Sequence, residues 1–582
     1  MGEPQNMNAV DGDRSKVVFA DDAAAALLAG HLGELAAPGE EWVVVKRNVS
    51  RTVYRGHIGG QQIYLKHYHS QSPLRRLARL AGRSDAKSEM RFTQYLQHIG
   101  VPTVPPLAAL CHDGIEWLAT KAVAPAVQGD IWHEQQLGAG PAGQAAIRSA
   151  TIRLGQMIGK MHAAGVTHRD LHCGNILVCP GKDQPQIMVT DLHRALRRRR
   201  LSRRDCVASL AQLFHDRYDF TTRSERVRFL RHYLAGNGAY RKGSLRGWQM
   251  MIEEFARRHT RRQLRQRDNR IFGSNKYFSP IRLPDRWAGH VVLSSKRKMA
   301  CSQAAHMVFT LQEWQDAIGN PQSLFEGPGV EVIKDSPSSL VVRRTLRIGE
   351  NDVQVFVKRT RRKYRWKILL DCLRDARCTR AFELGHKLLT RRIATALPLA
   401  ALERRAGPVL TDSISIAEAV EATDLDTFMR TWLANPPRDT ALPVAGQRQL
   451  AQDVLWQLGR MVQRLNDNSF AHRDLKASNV LVRWSPAAGA DVVLIDLDGL
   501  RQQRCLSMRR RFQGLMRLNV SLLECPVVNH AGRLRMLLGY LRRPGCGRIN
   551  FKPYWRLLEQ WSAEKLNRQI RSRHNRQKAA RR

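Results

Sequence analysis

The stretch THRDLHCGNILV at 167–178 recurs as AHRDLKASNVLV at 471–482. After each copy comes a short polar segment and then an apolar run that ends in an acid, Asp191 in the first half and Asp496 in the second. Before each copy lies a segment with apolar residues at helical spacing. A motif that recurs with the same flanking pattern indicates that one domain has been duplicated.

Further upstream, each half contains a β-patterned run that ends in a lysine, QQIYLK with Lys66 and VQVFVK with Lys358. Each lysine is followed by a basic stretch and then by a predicted helix that carries a glutamate, Glu89 or Glu383. The lysine and the glutamate are 23 residues apart in the first half and 25 in the second. The H-R-D aspartate and the following asparagine are 5 residues apart in both. The repeated order of these elements extends the duplication over most of the chain.

The repeated residues match the protein-kinase catalytic pattern, in which H-R-D-L-x-x-x-N is followed by a strand that ends in aspartate. In that pattern the first aspartate accepts the proton of an attacking hydroxyl. The asparagine and the second aspartate are hard oxygen ligands for Mg²⁺. The strand lysine holds the α- and β-phosphates of ATP and is itself held by the helix glutamate.

This pattern assigns three groups of candidate residues. The candidate catalytic residues are Asp170 and Asp474. The candidate metal ligands are Asn175, Asp191, Asn479 and Asp496. The candidate nucleotide-binding residues are Lys66, Glu89, Lys358, Glu383 and Lys476. Lys476 is included because kinases often place a phosphate-contacting group two residues after the catalytic aspartate.

Each motif also has a purely structural explanation when it is taken alone. An isolated H-R-D aspartate can cap a helix, a lysine after a β-run is often a solvated strand end, and Glu89 could be an ordinary surface residue. The ordered repetition favours catalysis, although three features depart from protein kinases. DFG is replaced by DLH at 191–193 and DLD at 496–498, no APE motif follows, and the glycine-rich loop is missing. Its place would be taken by KRNVSRT at 46–52 and KDSPSSL at 334–340.

The composition is that of a folded and strongly basic protein. With 95 Lys and Arg against 51 Asp and Glu, the 582-residue chain has a formal net charge of +44, which favours phosphate-bearing partners such as nucleotides, nucleic acid or anionic lipid. The 43% hydrophobic and 25% charged content excludes a mostly disordered chain. The cysteines form no C-x-x-C pair, so zinc ribbons and thioredoxin-like chemistry are unsupported. The acidic N-terminus does not resemble a signal peptide, so we expect a cytoplasmic protein.

The run VTDLHRALRRRRLSRRD at 189–205, together with the H-R-D loop, resembles the bacterial lipopolysaccharide kinase family, which includes the heptose and 3-deoxy-octulosonate kinases of the inner core. The resemblance covers about 41–285 and, less tightly, 326–582. It implies a protein-kinase-like fold, the use of ATP with Mg²⁺, and phosphorylation of a sugar hydroxyl on a lipid-linked saccharide at the inner leaflet. Carried over by position, it assigns catalysis and metal binding to Asp170, Asn175 and Asp191.

We therefore expect an α+β fold of two tandem protein-kinase-like bilobal domains, each with a β-rich N-lobe and a mainly helical C-lobe. The expected segments are an acidic tail at 1–40, a first domain at 41–285, a connector at 286–325, and a second domain with a basic C-terminal tail at 326–582. The expected activity is ATP- and magnesium-dependent phosphotransfer to an alcohol group of heptose or 3-deoxy-octulosonate in the lipopolysaccharide core. The expected place is the cytoplasm, with the anionic inner-membrane surface as a partner.

Two other functions stay open: a serine/threonine or small-molecule kinase, and one active half beside a half that only binds saccharide or a partner. The arginine run at 197–200 could bind phosphates and carboxylates of a core saccharide, because guanidinium groups bind both bidentately. Basic helical stretches at 257–270 and 565–582 could lie on an anionic leaflet. These runs could instead be solvated faces or nucleic-acid contacts, but they lack interleaved aromatics, so no specific nucleic acid is expected. The oligomeric state is left open.

Overall fold

The computed structural model describes residues 17–580 apart from several internal segments. These segments are 48–49, 70–83, 113–114, 182–183, 216–220, 295–306, 362–375, 434–442, 486–488 and 543–548. The chain divides into two compact units, Met1–Arg261 and Arg262–Arg582. Each unit combines one large antiparallel sheet with a group of helices, which confirms the predicted α+β class.

The first unit begins with its large sheet. The elements of this part are β1 (Val17–Phe19), α1 (Asp22–Leu28), α2 (Leu32–Ala36), β2 (Val43–Arg47), β3 (Arg51–Ile58), β4 (Gln61–Tyr68), α3 (Asp85–His98), β5 (Pro106–His112) and β6 (Ile115–Lys121). The sheet order is β1-β5-β6-β4-β3-β2. Ile63 and Leu65 of β4 are buried in an apolar core with residues of α1 and α2. Because side chains alternate along a strand, Lys66 faces the opposite side of the sheet.

Helix α3 covers the side of the sheet that Lys66 faces. The helix begins after Ser84, whose Oγ accepts a hydrogen bond from the backbone N–H of Lys87. Its residue Met90 packs with Tyr68 of β4. Glu89 is buried on the same face of α3, so this packing brings its carboxylate to Lys66.

The rest of the first unit is mainly helical. Its elements are β7 (Val127–Gln128), α4 (Gly129–Gly138), α5 (Gly140–Ala163), β8 (Val166–Thr167), β9 (Ile176–Cys179), β10 (Gln186–Val189), β11 (Leu196–Arg197), α6 (Arg203–His215), α7 (Arg223–Gly236) and the first part of α8 (Leu245–Asp268). Helix α8 continues beyond Arg261, the last residue of this unit. Helices α5 and α7 approach so closely that a Cβ atom on Gly155 would lie 2.6 Å from the carbonyl oxygen of Phe229. The glycine therefore permits the close crossing of the two helices, and the H-R-D loop follows α5 in sequence.

The second unit has a seven-stranded sheet with the order β12-β13-β17-β18-β16-β15-β14. The elements of this part are β12 (Phe278–Leu283), β13 (Trp287–Val292), α9 (Leu311–Ile318), β14 (Glu331–Ser336), β15 (Ser339–Ile348), β16 (Asn351–Thr360), α10 (Arg377–Thr390), β17 (Pro398–Ala406) and β18 (Val409–Glu418). Helix α9 begins with a capping box in which Thr310 and Glu313 each bond the backbone N–H of the other. Its Trp314 is buried in the core of this sheet.

The remaining elements of the second unit are again mainly helical. They are β19 (Thr423–Asp424), α11 (Leu425–Thr427), α12 (Val444–Asp467), β20 (Phe470–His472), β21 (Val480–Ser485), β22 (Gly489–Leu494), β23 (Leu500–Gln502), α13 (Met508–Leu522), α14 (His530–Leu541) and α15 (Lys552–Ala580). Helix α12 has 24 residues, as does α5. A Cβ atom on Gly459 of α12 would lie 2.0 Å from the carbonyl oxygen of Met536. The helix crossing that precedes the catalytic loop is thus built in the same way in both units.

The structure departs from the expected boundary of the N-terminal tail. Residues 17–36, which the sequence places in a tail at 1–40, form β1, α1 and α2. Strand β1 pairs with β5, and Leu28 and Leu35 are fully buried. The tail assignment is wrong for this segment because its apolar residues complete the core on the outer face of the first sheet; residues 1–16 lie outside the described part of the chain.

The expected connector at 286–325 is also corrected. Strands β12 and β13 form a hairpin, and β13 pairs with β17 of the second sheet. Trp287 and Val291 of β13 are buried in the second unit. The first domain therefore does not extend to 285, because the alternating apolar residues of this hairpin belong to the sheet of the second unit. Within the described segments, no helix combines the length and apolar character needed to cross a membrane.

Candidate active site

The catalytic loop of the first unit lies between β8 and β9, and residues of its own motif hold it in place. Nε2 of His168 bonds the carbonyl oxygen of Thr190 at 2.9 Å, and its Nδ1 accepts from the backbone N–H of Asp170 at 3.1 Å. Nδ2 of Asn175 donates to the carbonyl oxygen of Asp170 at 2.9 Å. Burial lowers the pKa of His168, so the neutral ring donates through Nε2 and accepts through Nδ1. The histidine therefore positions the loop and is not a proton carrier.

The second unit repeats this arrangement. His472 bonds the carbonyl oxygen of Asp496 at 3.0 Å and accepts from the backbone N–H of Asp474 at 3.3 Å. Asn479 donates to the carbonyl oxygen of Asp474 at 2.8 Å. Burial lowers the pKa of His472 as well. Lys476 is exposed at the start of the short turn that carries Asn479.

In the first unit, a buried glutamate of α3 has two donors on β4, and with Lys66 and Asp191 it defines the first cleft. Nζ of Lys66 donates to Oε1 of Glu89 at 2.5 Å, and the hydroxyl of Tyr68 donates to Oε2 of the same carboxylate. Burial and the negative charge of Glu89 raise the pKa of Tyr68 well above its ordinary value. The tyrosine therefore stays protonated and serves as a donor, and the lysine ammonium is held facing the cleft.

Asp191 follows β10 in the left-handed backbone region, with φ at 66°, which aspartate adopts more readily than most residues. Nη1 and Nη2 of Arg51 donate to its two carboxylate oxygens at 2.5 and 2.6 Å. Nδ1 of His193 lies 2.8 Å from Oδ1. Burial raises the pKa of Asp191, but the hydrogen bonds from Arg51 and His193 outweigh it and hold the pKa well below its usual range. The carboxylate is therefore ionised at neutral pH.

The second cleft does not form the expected ion pair between Lys358 and Glu383. Nζ of Lys358 lies 2.8 Å from Oδ2 of Asp498 and 3.8 Å from Oδ1 of Asp496. Glu383 instead pairs with Lys387, one turn later on α10, at 2.7 Å. The predicted ion pair between Lys358 and Glu383 is therefore wrong.

Two substitutions between the halves explain the different pairing. Asp498 stands two residues after Asp496, where the first half has His193 two residues after Asp191, so an extra carboxylate attracts the lysine. Thr360 stands two residues after Lys358, where the first half has Tyr68 two residues after Lys66. The second glutamate therefore lacks the tyrosine donor that holds Glu89.

The second candidate catalytic aspartate is engaged by an arginine. Nη1 of Arg517 on α13 lies 2.9 Å from Oδ1 of Asp474. The two side chains border a polar cavity of about 360 Å³, whose lining residues are His472, Arg473, Asp474, Asp496, Asp498, Gly499 and Arg517. With Arg511 aligned to Asp205, the first half has Ala211 at the position of Arg517. This arginine is thus a feature of the second cleft.

Two segments of the chain, 36–233 and 337–540, match the model of the lipopolysaccharide kinase (Kdo/WaaP) family, and together they span more than half of the chain. The chain belongs to this family. The two separate matches also confirm that the chain carries a tandem duplication. The family is one of kinases, so membership agrees with the catalytic pattern of the H-R-D loops.

One curated relative is the lipopolysaccharide core heptose(I) kinase WaaP of Pseudomonas aeruginosa PAO1, which is 30% identical over 165 residues. The match covers 25% of this chain and 59% of the relative, so the chain spans about three fifths of that protein's length. A solved structure of WaaP in complex with acyl carrier protein matches 42% of this chain and 98% of its own, with 23% identity and a TM-score of 0.33. The family assignment itself rests on the two segment matches.

The first cleft of this Kdo/WaaP family member has donor groups that fit a hard divalent cation. Ligand atoms of Glu89, Asp191 and His193 all lie within 4.8 Å of one another. Asn175 commits its amide nitrogen to Asp170, so its carbonyl oxygen is the end that can coordinate. The backbone of Asn175 bonds Thr190, next to Asp191, which brings the two predicted ligands together. Carboxylate and amide oxygens suit Mg²⁺.

The corresponding pair in the second half is also adjacent. The backbone oxygen of Asn479 accepts from the N–H of Ile495, the residue before Asp496. Asp496 has the same left-handed conformation as Asp191, with φ at 58°. Its side chain is 48% exposed, against 10% for Asp191. The predicted metal-binding carboxylate of the second half is thus much more open to solvent.

Three cationic side chains of the first sheet, Lys46, Arg51 and Lys66, lie near one another. A bound triphosphate would need positive charges of this kind. Burial lowers the pKa of Lys46, and the neighbouring charges of Arg51 and Lys66 lower it further, while Asp191 opposes this. Lys46 is thus close enough to Arg51 and Lys66 for their charges to repel, while the carboxylates of Asp191 and Asp170 attract it. A polyanion such as ATP would relieve their repulsion.

Sequence reasoning missed Tyr68, Arg51 and Arg517. Tyr68 could have been found, because it lies two residues after Lys66 and so faces the same side of the strand. Arg51 and Arg517 carry no comparable signal, since their partners are 140 and 43 residues away. Of the loop expected to replace the glycine-rich loop, 48–49 lies outside the described residues.

Several residues of the arginine run after Asp191 have local partners. The guanidinium of Arg197 stacks 4.1 Å from the ring centre of Tyr95, and Arg203 lies 5.1 Å from that of Trp248. Arg198 pairs with Asp205 at 3.1 Å. Asp205 also accepts from the hydroxyl of Ser202, so these contacts hold the start of α6. The arginines of this run are all exposed, and they include Arg194, Arg199, Arg200 and Arg204.

Proposed function

We propose that this protein is an ATP- and Mg²⁺-dependent kinase that transfers phosphate to a hydroxyl of heptose or 3-deoxy-octulosonate in the lipopolysaccharide inner core. The observation that carries the proposal is the convergence of Lys66, Glu89 and Asp191 in the first cleft, where Glu89 and Asp191 offer ligand atoms within 4.8 Å of each other. These groups come from β4, α3 and the segment after β10, in the order that kinases require.

The residues of the first half have separate roles in phosphoryl transfer. Asp170, half-buried on a loop that His168 and Asn175 hold in place, accepts the proton of the sugar hydroxyl. Lys66, fixed by Glu89, binds the phosphates of ATP. Asn175 and Asp191 hold Mg²⁺, which supplies charge neutralisation on the phosphates. Because positioning and electrostatics supply most of such catalysis, no covalent intermediate on the protein is needed.

We also propose that turnover belongs to the first half and that the second half binds ligand without transferring phosphate. Two observations favour this division: Lys358 is engaged by acids of the metal-binding segment instead of Glu383, and Asp474 is paired with Arg517. Because Oδ1 of Asp474 already accepts a hydrogen bond from Arg517, that oxygen is not available to an attacking hydroxyl. The polar cavity beside Asp474 contains cations that suit a phosphate or carboxylate group.

The proposed acceptor places the protein in the cytoplasm at the inner face of the membrane. The exposed arginines of α8 support attraction to that anionic surface. These residues are Arg257, Arg258, Arg261, Arg262, Arg265 and Arg267. No specific nucleic-acid partner belongs to the proposal.

The direct test uses the purified full-length protein, labelled ATP, and core lipid from a strain that lacks its core kinases. We expect label in the core oligosaccharide, loss of transfer in Asp170→Asn, and retention of most transfer in Asp474→Asn. Mass spectrometry of the core from a deletion strain should show fewer phosphates. An unchanged phosphate content, with label instead on a protein or a small metabolite, would favour a serine/threonine or small-molecule kinase. Equal losses in the two variants would overturn the proposed division between the halves.

A further inference from the structure

Arg51 covers both oxygens of the carboxylate that the proposed function assigns to the metal. The guanidinium meets Asp191 through two parallel hydrogen bonds, and the side chains of the two residues are 13% and 10% exposed. This planar, two-point geometry is the strongest way for arginine to hold a carboxylate. A divalent cation bound by Asp191 would need at least one of the same oxygens, so the cation and Arg51 compete for one position.

The register of the first sheet explains why Arg51 reaches this position. Arg51 is the cross-strand partner of Tyr68, two residues beyond Lys66. Cross-strand partners share a face of a sheet, so Arg51 stands on the same side as Lys66. From β3 it extends to the segment after β10.

The second half lacks this contact, and the same register shows why. There the residue opposite Thr360, two residues beyond Lys358, is Ser339. Serine is too short to reach across the cleft. Among the described residues, the position in the second half that corresponds to Arg51 therefore cannot form such an ion pair.

We propose that Arg51 is a resident cation that occupies the metal position of the first cleft in the nucleotide-free protein and moves onto the nucleotide phosphates when metal and nucleotide bind together. This inference rests on the proposed function, because it takes Asp191 as the metal ligand. Asp191 is buried, and Arg51 donates to both of its carboxylate oxygens. Once the metal takes over the carboxylate, the guanidinium lies beside the phosphates, to which it can donate bidentately. Arg51 thereby takes on part of the phosphate-binding role of the missing glycine-rich loop.

The test measures metal and nucleotide binding separately from activity. All variants are made in a full-length Asp496→Asn background, so that Mn²⁺ binding, followed by electron paramagnetic resonance without nucleotide, reports on the first cleft. We expect Arg51→Gln to bind Mn²⁺ about 10-fold more tightly than the background. We expect it to bind a fluorescent ADP analogue, with Mg²⁺ present, about 10-fold more weakly. A gain in Mn²⁺ affinity together with a loss in ADP affinity indicates that Arg51 moves from one anion, the carboxylate of Asp191, to another, the phosphates.

The matched control is Arg55→Gln, which removes the same charge from an exposed position on the same strand and should change neither affinity. Arg51→Lys covers the case in which the glutamine variant unfolds. An ammonium group cannot span both oxygens, so the lysine variant should bind Mn²⁺ more tightly than arginine while it keeps part of the ADP affinity.

Each outcome decides one statement. Mn²⁺ affinity that is the same in the Arg51 and Arg55 variants as in the background would overturn the inference. Tighter Mn²⁺ binding with unchanged ADP binding would overturn the movement onto phosphate. Asp191→Asn in the same background should abolish Mn²⁺ binding; if it does not, the metal assignment of the proposed function fails, whatever the arginine variants do.

Discussion

Nζ of Lys66 lies 2.5 Å from Oε1 of Glu89, a contact that joins β4 to α3 across 23 residues of sequence. The carboxylate is almost fully buried and has a second donor in Tyr68. A buried ion pair of this kind is stabilising only when its remaining oxygen is satisfied. The hydroxyl of Tyr68 meets that requirement in the first unit, and the second unit has Thr360 in its place.

Replacement of the strand lysine should affect the two halves unequally. Lys66→Met removes the cation that Glu89 holds for the phosphates, and kcat should fall about 100-fold or more, as when a preorganised electrostatic donor is deleted. Lys358→Met removes a lysine that is paired with Asp498, and kcat should change less than about twofold. Steady-state kinetics of phosphate transfer on the full-length variants measures both. A larger loss in the Lys358 variant would contradict the assignment of turnover to the first half.

Removal of the Tyr68 hydroxyl should loosen the glutamate without removing any charge. Tyr68→Phe leaves one buried oxygen of Glu89 without its donor, so the first unit should lose about 1–3 kcal/mol of stability. The KM for ATP should rise about 10-fold, since Lys66 is less firmly held. Tyr64→Phe, four residues earlier on β4, is the matched control. If both variants behave like the unmodified protein in thermal unfolding and KM, Tyr68 has no part in holding Glu89.

The second unit should become less stable as pH rises toward neutrality. Burial raises the pKa of Glu418 from 4.5 to about 7, and the charge of Arg483 offsets this only in part. The folded state therefore favours the protonated acid, so its stability is full below about pH 4.5 and falls as pH rises through about 7. Between pH 5 and 8 the loss should be on the order of 2 kcal/mol.

Thermal unfolding of Glu418→Gln across that pH range checks the expectation. The variant should lack this part of the pH dependence, because an amide does not ionise. Glu421→Gln, which changes an exposed residue nearby, should keep it. A Glu418→Gln profile parallel to that of the unmodified chain would show that the carboxyl does not titrate differently in the folded state.

Helix packing beneath the second catalytic loop should depend on Gly459. In Gly459→Ala the new methyl group would lie 2.0 Å from a backbone oxygen of α14, so the helices must separate, at a cost of about 1–3 kcal/mol. Gly514→Ala on α13 is the matched control, because its methyl group would meet only side chains at 3.5 Å or more. That control should be neutral or stabilise by up to about 1 kcal/mol, the usual gain of alanine in a helix. Equal melting temperatures for the two variants would contradict the close crossing.

Local spacing made much of the fold and part of the site predictable. The alternation in β4 and the helical spacing of α3 are enough to bring Lys66 and Glu89 to one face. The H-R-D motif carries its own hydrogen-bonding partners, so His168 and Asn175 could be placed from their distance to Asp170. These features depend on residues close in sequence or on one repeated pattern.

Where a side chain has several possible partners that are far away in sequence, the sequence did not predict which of them it pairs with. The choice of Lys358 between Glu383 and Asp498 depends on which carboxylate folding brings closer, and spacing alone does not report it. Strand β1 has three residues and finds its partner about 90 positions later in β5. A segment that short carries almost no periodic signal, which is why it was taken for a tail.

The β12–β13 hairpin bears on how the two halves can be studied apart. A fragment that starts at 326 would leave the hydrogen-bonding groups of β17 without their neighbour and would remove Trp287 from the apolar interior. Open strand edges of this kind recruit other chains, so such a fragment should self-associate whatever its catalytic state. Cleavage of the chain ahead of Phe278 keeps β12 and β13 beside β17, so the sheet retains its seven strands. Inactivity of a shorter piece would say nothing about its chemistry.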